Sequence, residues 1–448
     1  MNIIIVGAGE IGRYLATWLS KESHRISVIE SDPQLASELE QSIDAKVVGS
    51  DGTSVSALAE ANIGECDLFL ALTSSNTVNL VSSSMAKAMG VGKVVCRVHP
   101  ELQREEWLFD FKGHFGIDHL FSSERLSAIE LAKSVRNPDS LAVEEFARGR
   151  IELQQVRVSG SSDAVGTSLK DLKAPEHTRV AMIGRENAHF VPTAETELRE
   201  GDVVTIFGEP RRLRLFAERL QKGKGRVEAP RVVIFSGGEY GFSLAQMLES
   251  WDFRVRIFER DPEICQQLAE RLSNTTIINA DATVVAELDE EQVGEADFFI
   301  ATSAGDEDNV MTCLQAHSLG AKTCLTLIHR ADYADAISSS GKHFGVRAAI
   351  SPREATRREI ERFITSDRFH TVKKFEGAEL IEMPINKGAI AAGHAVREVE
   401  WPEGCVLVGH MRGLHAAVPG PDEELQAGDL VYAMVSPSAR RRFVKLLN

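Results

Sequence analysis

The sequence predicts an α/β protein in which one unit, a doubly wound parallel sheet followed by a small α+β lobe, occurs twice in tandem. Three observations predict this fold class. The chain contains an internal repeat of about half its length, short apolar segments alternate with amphipathic ones, and a glycine-rich turn directly follows the first apolar segment. A chain of 448 residues is also too long for a single hydrophobic core.

The internal repeat keeps its register through several landmarks. The segment Val6–Gly12 corresponds to Phe235–Gly241, and Asp67–Thr73 corresponds to Asp297–Ser303. The smaller lobes repeat as well, because Gly201-Asp202 returns as Gly428-Asp429. We therefore expect large α/β domains at residues 1–138 and 229–366, smaller lobes at 139–222 and 367–448, and a linker at 222–226.

Continuous apolar runs are typical of parallel strands that are buried on both faces of a sheet. The first large domain has five such runs, at Ile3–Val6, Ile26–Ile29, Val47–Val48, Leu68–Leu72 and Val94–Val98. Pro33 and Pro262 lie where a helix is expected to begin, a position that tolerates the missing N–H group. Further helices are predicted from Ser122 and from Ser351. The apolar stripe of the first, which begins at Leu126, packs either on its own domain or on a second copy of the chain.

The first half carries a dinucleotide-binding fingerprint in its full context. Gly7-Ala8-Gly9-Glu10-Ile11-Gly12 follows a predicted strand and opens a predicted helix. Gly7 permits the tight turn, Gly9 allows backbone to approach a pyrophosphate, and Gly12 allows close packing of helix on sheet. The N-terminus of that helix supplies free N–H groups to phosphate.

Other candidate binding residues lie at the ends of later strands. Glu30 ends the second strand, where it can accept hydrogen bonds from both ribose hydroxyls, and its charge favours NAD(H) over NADP(H). Asp51, Thr73 and Ser74 are placed at the same edge of the sheet, although each could instead cap a helix. Arg97 is a cation within an apolar run, so it requires an anionic partner, either a phosphate or a glutamate.

The second half departs from the fingerprint. Ser236 replaces the first glycine, so we expect its backbone to keep angles that a residue with a Cβ adopts readily. Thr326 is expected at the place of Arg97, while the acids Glu259 and Asp281 remain. The second half is therefore expected to grip a pyrophosphate less firmly and to take ATP, ADP or NAD(H), or no ligand.

The composition excludes several classes of protein. A net charge of −16 argues against a nucleic-acid partner, and no apolar run is long enough to span a bilayer. The six cysteines form no C-x-x-C pair and are expected to be buried thiols. No histidine–carboxylate pair, nucleophile elbow or metal-ligand spacing stands out, so neither catalytic nor metal-binding residues are assigned. A binding protein that lacks catalytic groups is typical of a sensor.

The whole chain resembles the family of tandem RCK domains (regulating conductance of potassium, also called KTN domains) that regulate Trk potassium uptake. The resemblance is carried by the Gly7–Gly12 turn, Glu30, the run Leu70–Ser75, Arg97 and the two Gly-Asp turns. It implies NAD(H) binding in the first half, and adenine nucleotide binding in the second half at Gly237, Gly238, Glu239, Tyr240, Glu259 and Thr302. It also implies a ring of four chains that lies in the cytoplasm, at the inner face of the membrane, and gates a membrane-embedded Trk potassium channel subunit.

Two other functions remain open on the sequence alone. One is a cytosolic NAD-dependent oxidoreductase with duplicated domains, which turnover of NADH with a metabolite would support. The other is a scaffold with vestigial nucleotide-binding domains, which melting curves insensitive to nucleotide would support.

Overall fold

The computed structural model describes residues 1–138, 140–147, 150–186, 188–222, 229–340, 345–364, 370–413 and 415–448. The chain divides into two compact units. One unit contains Met1–Ala132 and Glu228–Ile364, and the other contains Lys133–Val227 and Thr365–Asn448. The two large domains therefore pack together, and so do the two small lobes, so that each unit takes a part of both repeats. Most of the predicted linker, residues 223–226, lies outside the described residues.

The first large domain is a six-stranded parallel sheet with helices on both faces. Its strands lie in the order β3-β2-β1-β4-β5-β6, which is the doubly wound order predicted for the fold. Its elements are β1 (Asn2–Val6), α1 (Glu10–Lys21), β2 (Arg25–Glu30), α2 (Pro33–Ser42), β3 (Lys46–Gly49), α3 (Val55–Glu60), β4 (Leu68–Ala71), α4 (Asn76–Ala88), β5 (Lys93–Arg97), α5 (Pro100–Arg104), α6 (Phe111–Phe115), β6 (His119–Phe121) and α7 (Ser123–Arg136).

The first small lobe is an antiparallel sheet with one helix. Its five strands lie in the order β10-β9-β11-β8-β7. The elements are β7 (Ala142–Phe146), β8 (Ile151–Arg157), β9 (Thr178–Arg185), β10 (Ala188–Phe190), β11 (Val203–Gly208) and α8 (Pro210–Lys222).

The second repeat has the same architecture as the first. Its large sheet has the order β14-β13-β12-β15-β16-β17, and its lobe contains the sheet β18-β19-β24-β21-β22 and the two-stranded sheet β20-β23. The elements of the large domain are β12 (Arg231–Phe235), α9 (Glu239–Leu248), β13 (Arg254–Glu259), α10 (Pro262–Arg271), β14 (Thr275–Asn279), α11 (Val285–Glu290), β15 (Phe298–Ala301), α12 (Asp306–Leu319), β16 (Thr323–Leu327), α13 (Ala331–Ser340), β17 (Val346–Ile350) and α14 (Pro352–Ile364). Those of the lobe are β18 (His370–Phe375), β19 (Ala378–Pro384), β20 (His394–Ala395), β21 (Cys405–Arg412), β22 (His415–Ala417), β23 (Glu424–Leu425), β24 (Leu430–Val435) and α15 (Arg440–Leu447).

The local signals in the sequence act as expected at the helix starts. Pro33 and Pro262 are the first residues of their helices, and in each case the preceding aspartate caps the helix. The central strands are buried, with β4 inaccessible along its whole length. Cys66, Cys96, Cys313 and Cys324 are buried as expected, whereas Cys265 and Cys405 are only partly buried.

The apolar stripe of α7 packs within the chain. Leu126 lies against the core cluster that contains Ile5 and Leu70 of the first large domain, and Ile360 of α14 belongs to the same cluster. Of the two alternatives, packing on its own domain is therefore the one observed for Leu126. The contact also joins the two large domains, because α14 belongs to the second repeat.

The sheet register corrects one expectation about the second repeat. Ala71 pairs with Cys96, and its counterpart Ala301 pairs with Thr326, so Thr326 corresponds to Cys96. Leu327 occupies the place of Arg97, and both backbone carbonyls accept a hydrogen bond from the asparagine of the preceding helix. The expected match of Arg97 with Thr326 was wrong because the second repeat has gained one residue between its glycine-rich turn and this strand.

The Gly-Asp turns act as clamps in the two small lobes. Gly201 takes the left-handed conformation, and the buried Asp202 accepts two hydrogen bonds from Arg185, each 2.8 Å long. Arg412 donates in the same way to Asp429, at 2.8 and 2.7 Å. In both repeats a bidentate ion pair thus fixes the start of a long strand, β11 in the first and β24 in the second. The aspartate of each Gly-Asp turn supplies the carboxylate of that pair.

Candidate nucleotide-binding site

A cleft opens at the carboxyl end of the first large sheet, the edge at which doubly wound folds bind ligands. Its volume is about 370 Å³, within the range of small-molecule pockets. The structure brings eight of the residues predicted for the first site together in its lining: Gly7, Gly9, Glu10, Ile11, Glu30, Thr73, Ser74 and Arg97.

The three glycines of the first turn meet three different requirements. Gly7 has a φ of +99°, and a Cβ there would lie 2.9 Å from Cγ2 of Thr73. A Cβ on Gly12 would lie 1.9 Å from the carbonyl oxygen of Gly7. A Cβ on Gly9 would meet no atom within 4 Å. Gly7 and Gly12 are thus required by the fold, whereas the space beside Gly9 is open to a ligand.

Glu30 is held by the backbone around it. Its carboxylate accepts hydrogen bonds from the N–H of Ala8 at 2.5 Å and from the N–H of Asp32 at 2.8 Å. The residue is buried yet lines the cleft. Ala8, although part of the fingerprint, therefore contributes by fixing the acid rather than by lining the cleft.

A hydrogen-bond network ties the ends of β4 and β5 together. The backbone N–H and the hydroxyl of Thr73 both donate to Oδ1 of Asn79, at 2.9 and 2.7 Å. The amide nitrogen of Asn79 donates to the carbonyl of Arg97 at 2.9 Å. This buried asparagine at the first turn of α4 therefore positions two predicted site residues at once.

Arg97 has a glutamate as its partner, one of the two partners expected. Its Nη2 lies 3.0 Å from Oε1 of Glu124, whose other oxygen accepts hydrogen bonds from the hydroxyls of Ser122 and Ser123. Burial raises the pKa of Glu124, but Arg97 and these hydrogen bonds outweigh burial, and the pKa lies below its usual range. Glu124 is therefore charged at neutral pH.

Asp51 lies apart from the cleft lining. Its Oδ1 accepts hydrogen bonds from the backbone N–H and the hydroxyl of Thr53, both 2.8 Å long. The N–H bond, and then the hydroxyl bond, lower the pKa of Asp51. Asp51 therefore holds the turn ahead of α3, and the capping role that the sequence left as an alternative belongs to Ser54, whose side chain accepts a hydrogen bond from the N–H of Ala57.

Four lining residues come from the second repeat: Tyr240, His329, Pro352 and Arg353. Tyr240, which the sequence placed in a second site, lies instead in the wall of the first cleft. Sequence reasoning missed His329, Pro352 and Arg353, because no local pattern shows that the two large domains face each other. One signal was present, since Arg353 stands where the first repeat has the oppositely charged Glu124.

His329 is oriented by a carboxylate. Its Nδ1 and its backbone nitrogen lie 3.0 and 2.7 Å from Oδ1 of Asp306. Burial raises the pKa of Asp306, but the N–H groups of His329 and Arg330 outweigh burial and leave the pKa below its usual range. The ring of Tyr240 packs edge-on against His329, with 5.7 Å between the ring centres.

The second glycine-rich turn keeps the acid but changes the loop. Glu259 accepts a hydrogen bond from the N–H of Gly237 at 2.8 Å, as Glu30 does from Ala8. Ser236 has a φ of +80°, so the expectation that it would avoid the left-handed region was wrong. Its hydroxyl accepts a hydrogen bond from the N–H of Gly238 at 3.4 Å, which helps to hold this conformation and occupies a donor that could otherwise meet phosphate.

The remaining predicted residues of the second half have partners within the chain. Glu239 forms an ion pair with Arg104 of the first repeat at 3.2 Å. The hydroxyl of Thr302 donates to the carbonyl of Phe235 at 2.9 Å. Asp281 accepts hydrogen bonds from Thr283, which repeats the arrangement at Asp51.

No group of three histidine, cysteine or acidic side chains in the described ranges is arranged to hold a metal ion. None of the described helices is both long and apolar enough to cross a membrane.

Comparison with known proteins agrees with this architecture. The chain matches the TrkA-N domain over residues 3–122 and 232–352, and the TrkA-C domain over residues 153–221 and 380–448. A Trk system potassium uptake protein TrkA of Halomonas elongata is 30% identical, over 100% of this chain and 98% of the relative. A TrkA homolog of Archaeoglobus fulgidus is 28% identical, over 97% of each chain. The chain therefore belongs to the TrkA family of Trk system potassium uptake proteins, in which TrkA-N and TrkA-C domains alternate in tandem.

Solved structures show the same fold. The RCK domain of GsuK has a TM-score of 0.60 at 17% identity, over 100% of this chain and 94% of that chain. The GsuK channel solved with NAD has the same TM-score and identity, over 100% of this chain and 78% of that chain. The prediction of two tandem RCK units, each with a Rossmann-like doubly wound sheet and a small lobe, is confirmed.

Proposed function

We propose that this protein is a nucleotide-sensing regulatory subunit of a Trk-type potassium uptake system, and that NAD(H) binding to its first large domain biases the gating of a membrane channel subunit. The observation that carries the proposal is the first cleft, in which a phosphate-binding turn, the ribose acid Glu30 and the strand-end residues Thr73 and Ser74 converge. A sensor requires that its ligand bind two conformations with different affinity. A cleft walled by two domains provides a structural basis for such a difference.

The choice of ligand rests on charge and on the loop. Glu30 repels a 2′-phosphate, which favours NAD(H) over NADP(H). GsuK, which shares this fold, has been solved with NAD and with ADP. In the second half, the strained Ser236 and its bond to Gly238 favour weaker binding, with ATP, ADP or NAD(H) as candidate ligands.

Membership of the TrkA family supports the partner and the location that we propose. We propose a cytoplasmic ring of four chains that docks on the inner face of a membrane-embedded Trk potassium channel subunit. Under this proposal the protein is not an enzyme. The large domains at residues 1–138 and 229–366 bind nucleotide, and the lobes at 139–222 and 367–448 complete each unit.

The experiment is a calorimetric titration of NADH into the full chain and two matched variants. Glu30→Ala removes the ribose acid of the first site, and Glu259→Ala removes its counterpart in the second repeat. Loss of hydrogen bonds to a charged group costs about 1.5–3 kcal/mol. We therefore expect Glu30→Ala to lower NADH affinity about 10-fold to 100-fold, and Glu259→Ala to leave the tighter binding event unchanged.

The regulatory half of the proposal needs the membrane partner. Reconstitution of the chain with a Trk membrane subunit in vesicles allows potassium or rubidium flux to be measured with and without NADH. Flux that depends on the added chain and changes with NADH supports regulation. Flux that is insensitive to both would contradict it.

An NAD-dependent oxidoreductase is a second candidate, because one observation favours it. His329, oriented by Asp306, lines the same cleft as the predicted nucleotide site, and a histidine oriented by a carboxylate can act as a general acid or base. Oxidation of NADH in the presence of a panel of carbonyl metabolites, abolished by His329→Gln, would support the enzyme and count against the regulator.

A further inference from the structure

The first cleft is a shared structure, since its far wall belongs to the second repeat. Tyr240 stands at the start of α9, His329 follows β16, and Arg353 lies in the first turn of α14. These residues reach the cleft because α1 packs against α14, where the hydroxyl of Tyr14 donates to Glu354 at 2.9 Å. A ligand that fills this cleft therefore lies against residues of both large domains.

Of the two arginines in the cleft lining, Arg353 has the weaker ion pair. Arg97 lies 3.0 Å from the buried carboxylate of Glu124. Among the described residues, the ion-pair partner of Arg353 is Glu10, at 3.5 Å, and the side chain of Glu10 is 65% exposed. An exposed partner at that distance holds an arginine weakly, because water screens the pair.

One donor of Arg353 is buried without a partner. Its Nε is inaccessible to solvent and has no hydrogen-bond partner among the described residues, although the side chain lines the cleft. A buried N–H group without an acceptor is costly, and a guanidinium binds phosphate oxygens well. The guanidinium of Arg353 therefore lacks acceptors that an anion in the cleft would supply.

The position of Arg353 in its helix points the same way. A cation in the first turn of a helix lies at the positive end of the helix dipole, where an anion is preferred. The first repeat has Glu124 at the corresponding position, and that glutamate neutralises Arg97. In the second repeat the charge is reversed and Leu327 replaces the arginine partner, so Arg353 has no internal counterion of that kind.

We infer that Arg353 binds a phosphate group of the nucleotide in the first site, and that the second repeat thereby completes that site. The inference rests on the proposed function, because it requires a nucleotide on the Gly7–Gly12 turn. Glu10 holds the arginine loosely across the cleft, and a phosphate takes its place as the partner. A bound nucleotide then links α14 to the phosphate-binding turn, so that nucleotide binding to the first large domain affects the second.

The test is a titration of the full chain with NADH and with ADP, using substitutions on each side of the Arg353–Glu10 pair. Arg353→Gln should lower affinity for both probes about 10-fold. Arg353→Lys should have an affinity between that of the parent and that of Arg353→Gln. Glu10→Gln should raise affinity for both probes, because it removes the carboxylate that competes with phosphate for Arg353. Arg362→Gln, on the same helix but outside the cleft lining, is the matched control and should bind as the parent does.

The outcomes separate the possible failures. If Arg353→Gln and Glu10→Gln weaken binding equally, the pair only supports the fold and the inference is overturned. If the parent binds NADH and Arg353→Gln binds it equally well, the role of Arg353 is overturned while the proposed function stands. If the parent binds neither probe, both are overturned. Melting curves of the unliganded variants identify any loss that comes from unfolding, in which case Arg353→Lys gives the decisive comparison.

Discussion

Substitution by alanine at two glycines of the first turn should affect two different properties. At Gly9 it should weaken NADH binding, and at Gly12 it should lower stability. Gly9→Ala adds a methyl group that meets no atom within 4 Å. Gly12→Ala adds one that would lie 1.9 Å from the carbonyl oxygen of Gly7. The pair therefore separates a glycine that a ligand needs from a glycine that the fold needs.

The size of each effect follows from these contacts. Overpacking by one methyl group costs about 1–3 kcal/mol, partly offset at Gly12 by the higher helix propensity of alanine, about 1 kcal/mol. We expect Gly12→Ala to lower the melting temperature by a few degrees. At Gly9 the methyl group takes the space of an approaching phosphate, and loss of a hydrogen bond to a charged group costs about 1.5–3 kcal/mol. That loss corresponds to a decrease in NADH affinity of about 10-fold to 100-fold.

The assay is a melting curve and an NADH titration on the full chain. Gly9→Ala should melt close to the parent and bind poorly, while Gly238→Ala, at the equivalent position of the second repeat, serves as the control and should bind NADH at the first site as the parent does. Normal NADH affinity in Gly9→Ala would refute the assignment of this turn to phosphate. A parent-like melting temperature in Gly12→Ala would refute the packing argument.

Three further predictions concern other parts of the chain. Asp202→Asn should destabilise the first small lobe by about 2 kcal/mol, because it breaks the bidentate pair with Arg185. Burial raises the pKa of Asp202, but its hydrogen bonds outweigh burial and leave the pKa lowered. The stability that the ionised carboxylate adds is therefore present above about pH 4 and is lost as the pH falls through the folded-state pKa. Melting curves of the Asp202→Asn variant at acidic pH should lack this dependence. Gly7→Ser should destabilise by about 2 kcal/mol through contact with Thr73, and Thr73→Ser should restore part of the loss, which additive effects in a double-mutant cycle would disprove. Asp51→Ala should leave NADH affinity unchanged, since Asp51 bonds Thr53 outside the cleft lining, and a tenfold loss in calorimetry would contradict this.

The parts of the fold that local chemistry determines could be predicted from the sequence. Buried strands read as apolar runs, and Asp32-Pro33 and Asp261-Pro262 start helices, because capping and proline geometry depend on a few neighbouring residues. The place of Arg97 in the second repeat was misassigned although the sequence contains the signal for it. The match of Asp67–Thr73 with Asp297–Ser303 already includes the inserted residue, and the same offset places Leu327 at the position of Arg97, as the pairing of β15 with β16 shows.

The shared wall of the cleft was beyond sequence reasoning for a different reason. Tyr240 belongs to the glycine-rich turn of its own repeat, and that pattern assigns it to its own site. Its actual surroundings depend on the packing of one large domain against the other, which no short-range pattern encodes. Burial raises the pKa of Tyr240 and Glu124 adds to the shift, so the phenol stays neutral and can donate a hydrogen bond into the first cleft.

The differences between the two repeats are consistent with a division of roles. In the first turn a Cβ on Gly7 would meet the methyl group of Thr73, whereas the second repeat has Ser236 and Ser303 at the corresponding sequence positions, and serine lacks that methyl group. The second turn therefore accommodates a side chain, but that side chain takes up the N–H of Gly238. The second repeat has lost features that favour its own phosphate site, and it contributes Tyr240 and Arg353 to the first. Under the proposed function, such specialisation of the two repeats gives one nucleotide site that contacts both large domains, the arrangement in which a single ligand can change how the domains are held together.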